Sequence, residues 1–380
     1  MSKRGDGEGT IFKRKDGKWV ARLSLGTDAN GRRLQKTVYA KTRTQVAEKL
    51  AELTQRHKTS GKALANKDSL AAYLKSWLAD DVKLNRTPKT HEEYEAAERL
   101  YITPYLGTKK LVKLSGADLQ RWQGQMSRDG HSDNTRLKAI RVLRNALNKA
   151  IKLSLIPSNP AAAVSKPKVT RKEVTPLERD QCHALFEACK SHRLGDLIIV
   201  AAMTGLRKGE LFALEWSAVN LREGVLVVRK SLEEIGGKLR IKIPKTAAGR
   251  RVVTLGKEAI EALKRRKAKA IEEGYGEGIV FPNTDGGYQY ASNFRKFVWV
   301  KIREAAGIPD SFVFHDLRHT QASLLLAAGV DLKVIQKRLG HADFATTANL
   351  YAHLLQDAQG DATEKLDAMM KKQTRKRRSR

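Results

Sequence analysis

The chain has 380 residues, 41% of them hydrophobic, and carries a formal net charge of +32. That length predicts two or three domains with real cores, and no apolar run reaches the ~18–20 residues a membrane helix needs. A chain this basic calls for a polyanion, usually nucleic acid, and aromatics at only 6% favour duplex DNA over stacking on single strands.

From Gly9 to Ala40 the pattern alternates: "TIFKRKDGKWVARLSLG" gives two strands around an Asp16-Gly17 turn, and "GRRLQKTVYA" a third after Asn30-Gly31. A helix from about Arg43 to Arg56 puts Val46, Leu50 and Leu53 on one face. Residues 1–60 hold 15 Lys and Arg against 6 Asp and Glu, so this unit is basic in its own right, and a strand ribbon fits the major groove. The polar stretch 58–67 reads as a linker. Helices are then predicted at Ser69–Val82, Lys89–Tyr101, Gly116–Arg128 and Asp133–Leu153, with Pro88 just before the second and Ser132 or Asp133 capping the fourth. In the fourth, Leu137, Ile140, Leu143, Leu147 and Ile151 face inward, while Arg136, Lys138, Arg141, Arg144 and Lys149 offer a cationic surface to a duplex.

A second basic linker spans 165–174. After it, Thr175, Pro176 and Glu178 read as the capping box of a new helix. Cys182 and Cys189 lie on that helix and read as reduced packing residues of a cytosolic protein. "GVLVVRKSL", "GKLRIKIP" and "RRVVTLG" predict one three-stranded meander, and helices continue to about Lys371. The tail from Lys371 is seven-tenths basic, and the charged N-terminus lacks the apolar centre of a secretory signal. The pattern as a whole predicts a multidomain α+β chain. It has a small three-stranded-sheet-plus-helix N-terminal domain, an all-α middle domain, and a mainly α third domain with a small antiparallel sheet.

Four pieces of the last domain carry candidate chemistry. In "TGLRKGELFALEW", Arg207 follows a Gly-Leu turn and opens a helix, where backbone N–H groups favour an anion. In "IPKTAAGRRVV", Lys245 sits in a turn between two strands, with Lys238 and Lys242 as competitors on the same hairpin. In "HDLRHTQASLLLAAG", His315 and Arg318 lie one helical turn apart and face one point. In "LGHADFATTANLYAHL", His341 follows a turn, and Tyr351 shares a helical face with Phe344, Thr347 and Leu354. Glu210 reads as a brace for Arg207 or for the fold, Asp316 as a structural residue near the helix start, His319 as pointing elsewhere on its helix with a supporting role the lesser reading, and His353 as surface.

The order and context of these pieces resemble the tyrosine recombinases, specifically phage- and mobile-element-type integrases, over nearly the whole chain. The resemblance implies an arm-type DNA-binding domain at 1–60, a helical, SAM-like core-binding domain at 67–165, a catalytic domain at 174–371 and a basic tail at 372–380. By position, Arg207 and Arg318 look like the arginine pair, Lys245 the hairpin lysine, His315 and His341 the two histidines, and Tyr351 the nucleophile. The residue types suit the chemistry. Guanidinium forks stabilise charge gathering on a phosphodiester, a phenol of pKa near ~10 needs a base or cationic field, and His315 is the natural base, Lys245 the donor to the 5′ oxygen. The resemblance further implies a 3′-phosphotyrosine intermediate and no metal or other cofactor. It implies a homotetramer on core-type and arm-type attachment sites, with a host DNA-bending protein and an excisionase as further partners, in the bacterial cytoplasm at the nucleoid. A resolvase or type IB topoisomerase would share the chemistry but not the basic N-terminal sheet. A purely architectural DNA-binding protein would lack the chemistry, and a metal-dependent transposase would need a carboxylate triad.

Overall fold

The computed structural model describes residues 9–14, 17–27, 33–60, 68–169, 175–243 and 250–340. Two compact units divide the chain, Met1–Arg171 and Lys172–Arg380. Among the described residues no helix is long and apolar enough to cross a membrane.

The first unit opens with an antiparallel sheet in the order β1 (Gly9–Lys13), β2 (Trp19–Thr27), β3 (Arg33–Ala40), followed by the helix Arg43–Ser60. The register pairs Ile11 with Ala21 and Ala21 with Val38, so these three share one face. Leu23 follows Ala21 on that face by the two-residue period of a strand. Ala21, Leu23 and the helix's Val46 are fully buried. The opposite face shows Phe12, Arg22 and Tyr39, with the Arg22 guanidinium 5.5 Å from the Phe12 ring centre. The turns at Asp16 and at Asn30-Gly31 lie outside the described residues, as do 61–67 of the first linker and 170–174 of the second.

The helices of the middle region follow the predicted periods closely. The first runs Leu70–Trp77 with Ser69 as N-cap and passes into a π-helical turn at Leu78–Val82. In the second, Pro88 is the first helical residue, behind a Thr87 cap, where a missing N–H costs nothing. Gly116–Arg128 starts on a capping box of Ser115 and Asp118, and Asp133–Lys152 on Ser132, whose hydroxyl accepts from the Thr135 amide. Ile140, Leu143 and Leu147 are buried as predicted, joined by Ala139, Ala146 and Ala150. The cationic face of this helix is narrower than the sequence implies. Arg144 donates to the carbonyls of Ala161 and Val164, Lys149 pairs with Asp81 at 2.5 Å, and Arg136 bonds Ser127 and Asp133. Lys138 and Arg141 are left exposed.

In the second unit the helix expected at Thr175 begins instead at Arg179, with Glu178 as its cap and the Gln181 side chain accepting from the Glu178 amide. The reason is packing. Leu177 is buried and its N–H donates to the Thr320 hydroxyl at 3.1 Å, which keeps residues 175–178 out of the helix. Cys182 and Cys189 are free thiols on this helix, Cys189 buried with its pKa pushed up to about 12 by burial.

The predicted single meander is two sheets. β4 (Val219–Asn220), β5 (Val225–Val228) and β8 (Arg251–Thr254) form one, in the order β4-β5-β8, while β6 (Ser231–Ile235) and β7 (Lys238–Lys242) form a separate hairpin. The first predicted strand breaks at Arg229-Lys230, where the Lys230 ammonium is drawn to Glu215 at 2.6 Å. Gly236 and Gly237, both at positive φ, close the β6–β7 turn, which suits the twist of a two-residue hairpin. The core of the unit gathers Ile198, Leu211, Phe212, Leu226, Val253, Leu263, Phe281, Phe294 and Trp299 between the Gly195–Thr204 and Lys257–Glu272 helices and β5–β8.

Candidate active site

Of the six candidate residues, Arg207, His315 and Arg318 fall within the described structure. Lys245, His341 and Tyr351 lie outside the described residues, as do His353 and the helices expected beyond 340. Lys242, a competitor of Lys245, is tied to Glu233 at 2.5 Å.

Arg207 caps the short helix Lys208–Phe212. It is placed by the tight exit from the Gly195–Thr204 helix, where Gly205 sits at φ 64°. There a side chain would cost about 1–2 kcal/mol, and a Cβ would lie 2.2 Å from the Gln321 Oε1. The helix N-terminus does attract an anion, but it is the chain's own: the Arg207 N–H donates to Glu210 Oε2 at 2.9 Å. The Arg207 side chain donates through Nη1 to Glu210 Oε1 at 3.0 Å and through Nη2 to the Gly340 carbonyl at 3.1 Å, and keeps 40% of its surface exposed. Glu210 therefore braces Arg207, as the sequence suggested.

Arg318 lies on the first turn of the Asp316–Ala327 helix and is 3% exposed. A buried guanidinium needs acceptors. Its Nη1 donates to the Gly205 carbonyl at 2.5 Å and its Nη2 to the Leu339 carbonyl. The two arginines thus meet on neighbouring carbonyls, 339 and 340, at the end of the Leu332–Leu339 helix. Gly340 turns the chain there at φ 67°.

His315 precedes the Asp316–Ala327 helix, and its carbonyl accepts from the Arg318 amide at 3.1 Å. Its ring meets His319 edge to face, with centres 5.4 Å apart. Although the residue has an exposed surface, desolvation by its neighbours, then the nearby His319 and the charges of Arg318 and Arg207, hold its pKa below 6.5, while Asp316 pulls the other way. Asp316 is structural, accepting the Val313 N–H at 2.7 Å. His315 also opens onto a groove of about 520 Å³ whose charged lining is Lys208, Arg295 and Arg303 together with Asp310. There burial and the neighbouring Arg295 lower the Lys208 pKa.

Sequence reasoning missed Arg251. It is 8% exposed, donates to both oxygens of Glu210 at 3.0 and 2.8 Å, and donates through Nε to the Arg338 carbonyl at 2.7 Å. The signal was present. In "RVVT" the alternation places Arg251 in phase with buried Val253, not with exposed Val252. Arg338 was missed too; its guanidinium joins the carbonyls of Thr254 and Met203.

Residues 176–357 match the phage integrase family, and residues 69–127 match its N-terminal SAM-like domain. A tyrosine recombinase XerC of Xanthomonas campestris pv. campestris is 30% identical over 255 residues, which cover 65% of this chain and 72% of that one. Two solved structures share the fold. The Tn1549 transposon integrase, in complex with a circular intermediate DNA, aligns with TM-score 0.68 at 22% identity over 79% of this chain and 99% of that one. A lambda integrase tetramer bound to a Holliday junction aligns with TM-score 0.58 at 19% identity over 92% and 96%. With a cationic site built on two converging arginines and a histidine, and with these matches spanning the catalytic and SAM-like regions, the chain belongs to the phage integrase family of tyrosine recombinases.

Proposed function

We propose that this recombinase is an integrase that cuts and rejoins duplex DNA at attachment sites of a phage or mobile element, through a 3′-phosphotyrosine link to Tyr351. The observation that carries the site assignment is the convergence of Arg207 and Arg318 beside His315 at the end of the helix that leads into His341 and Tyr351.

In this reading Arg207 and Arg318 hold the non-bridging oxygens of the scissile phosphate and stabilise the charge that grows there. His315, neutral at pH 7 because its pKa lies below the ordinary value, takes the phenol proton as Tyr351 Oη bonds to phosphorus. The P–O5′ bond breaks, and Lys245 gives a proton to the departing 5′ oxygen. His341 hydrogen-bonds the phosphate or orients the tyrosine. A 5′-hydroxyl from another strand reverses the attack and completes the exchange, so the chemistry uses no metal and no other cofactor.

The domains divide the labour as 1–60 for arm-type sites, 67–165 for the core site, 174–371 for catalysis and 372–380 as a basic tail. The exposed Phe12, Arg22 and Tyr39 of the N-terminal sheet support the first assignment, and exposed Lys138 and Arg141 the second. The DNA complex of the Tn1549 integrase and the lambda integrase tetramer on a Holliday junction support a tetramer on duplex DNA. A host DNA-bending protein and an excisionase are the further partners, and the bacterial nucleoid is the place of action. The test is a nicked suicide duplex of the core site. The wild-type chain forms an SDS-resistant adduct, Tyr351→Phe forms none while its DNA affinity holds, and equal adducts from both proteins would remove Tyr351 from the role.

A further inference from the structure

Three consecutive carbonyls at the end of the Leu332–Leu339 helix each receive a different guanidinium: Arg338 O from Arg251, Leu339 O from Arg318 and Gly340 O from Arg207. Among the described residues no amide further along the chain reaches those carbonyls, and they lie at the helix's negative pole, so cations are favoured there. Two of the three arginines already have a role above. Arg251 does not, yet all three of its guanidinium nitrogens are engaged.

Its fork takes both oxygens of Glu210, and the same carboxylate receives the Arg207 N–H and Nη1. Glu210 is thus shared between a buried guanidinium on one side and a partly exposed one on the other. The sharing has a chemical consequence. A carboxylate at 6% exposure needs its charge met. With Arg251 in place it is met from inside, and Arg207 contributes one Nη1 contact while its Nη2 rests on the Gly340 carbonyl and its side chain stays partly exposed. Without Arg251, the carboxylate would draw Arg207 into the two-pronged pair that guanidinium and carboxylate prefer and would compete with the phosphate for it.

We propose that Arg251 is a positioning residue of strand cleavage: it saturates Glu210 so that Arg207 stays available to the scissile phosphate, and it pins the Arg338 carbonyl at the end of the Leu332–Leu339 helix. It touches no DNA. This role rests on the recombinase chemistry proposed above.

The test compares single-turnover cleavage of two nicked suicide duplexes by the full chain, one with the natural phosphodiester and one with a methylphosphonate at the scissile position. The methylphosphonate is neutral and removes the anionic oxygen that Arg207 would hold. Arg251→Lys keeps the buried charge but loses the fork. It should cleave the phosphodiester about a hundredfold more slowly, the loss expected when a reacting group is misplaced by an ångström. Its loss on the methylphosphonate should be several times smaller, with DNA affinity unchanged. Placed on Arg207→Lys, the same change should add little. Should Arg251→Lys fail to fold, Arg251→Gln, which also leaves the Glu210 carboxylate in place without its fork, is tested by melting first and carries the same comparison. Equal losses on both substrates, or full additivity with Arg207→Lys, would overturn the positioning role. A wild-type chain that cleaves neither duplex would refute the recombinase chemistry itself, and the role with it.

Discussion

Replacing Gly205 by alanine tests whether the turn before Arg207 is fixed by the site around it. Two costs can be worked from the geometry. The residue sits at φ 64°, where an L side chain costs about 1–2 kcal/mol. The new Cβ would also meet Gln321 Oε1 at 2.2 Å and Leu339 Cδ2 at 2.8 Å, a crowding worth roughly 1–3 kcal/mol once neighbours shift. The sum is about 2–5 kcal/mol, or a melting point roughly 5–15 °C lower for a unit of this size. The damage is also functional, because the Gly205 carbonyl is an acceptor of Arg318 and Leu339 offers the other. Scanning calorimetry of the full chain beside the rate of adduct formation on a suicide duplex reads both. A Gly205→Ala protein that melts within a degree of wild type and cleaves at the wild-type rate would refute the argument.

The remaining predictions use other parts of the same unit. Cleavage should be level above neutral pH and fall only below about 6.5, because His315 must be neutral to accept a proton and its pKa is depressed; a pH–rate profile with its acid limb centred well above 6.5 would contradict this. Glu273 is gripped first by buried Arg266 and also by Arg193, which lower its pKa from 4.5 to about 2. A depressed carboxylate stabilises the fold above its unfolded pKa and loses that contribution as pH falls from about 5 toward 2. Glu273→Gln should therefore cost roughly 2–3 kcal/mol at pH 7, after discounting for its partial exposure, and clearly less at pH 3; denaturant titrations at the two pH values check this, and an equal cost at both would contradict it.

Elements whose sequence signal was local were legible. The helices Gly116–Arg128 and Asp133–Lys152 declare themselves through apolar period and an N-terminal serine, and the structure sets their ends within a residue of the expectation. The misreadings came where distant contacts decide. Thr175 and Pro176 offered a good helix start, but Leu177 was claimed by the core and by Thr320. The strand signals near 224–256 were sound, yet which strand pairs with which depended on a break at Arg229-Lys230 and on β8 returning to β5 rather than to β7. Within the site, Arg207, His315 and Arg318 could be picked out because a family pattern names them. Arg251 and Arg338 could not, since an arginine among 73 Lys and Arg residues shows its purpose only once its carbonyl and carboxylate partners are in place.

The most direct measurement of the central claim is chemical. The adduct formed on a nicked core-site duplex is digested with protease and nuclease, and the peptide carrying the residual nucleotide is sequenced by mass spectrometry. The account predicts a nucleotide 3′-phosphate esterified to Tyr351; a linkage on any other residue, or to a 5′-phosphate, would contradict it.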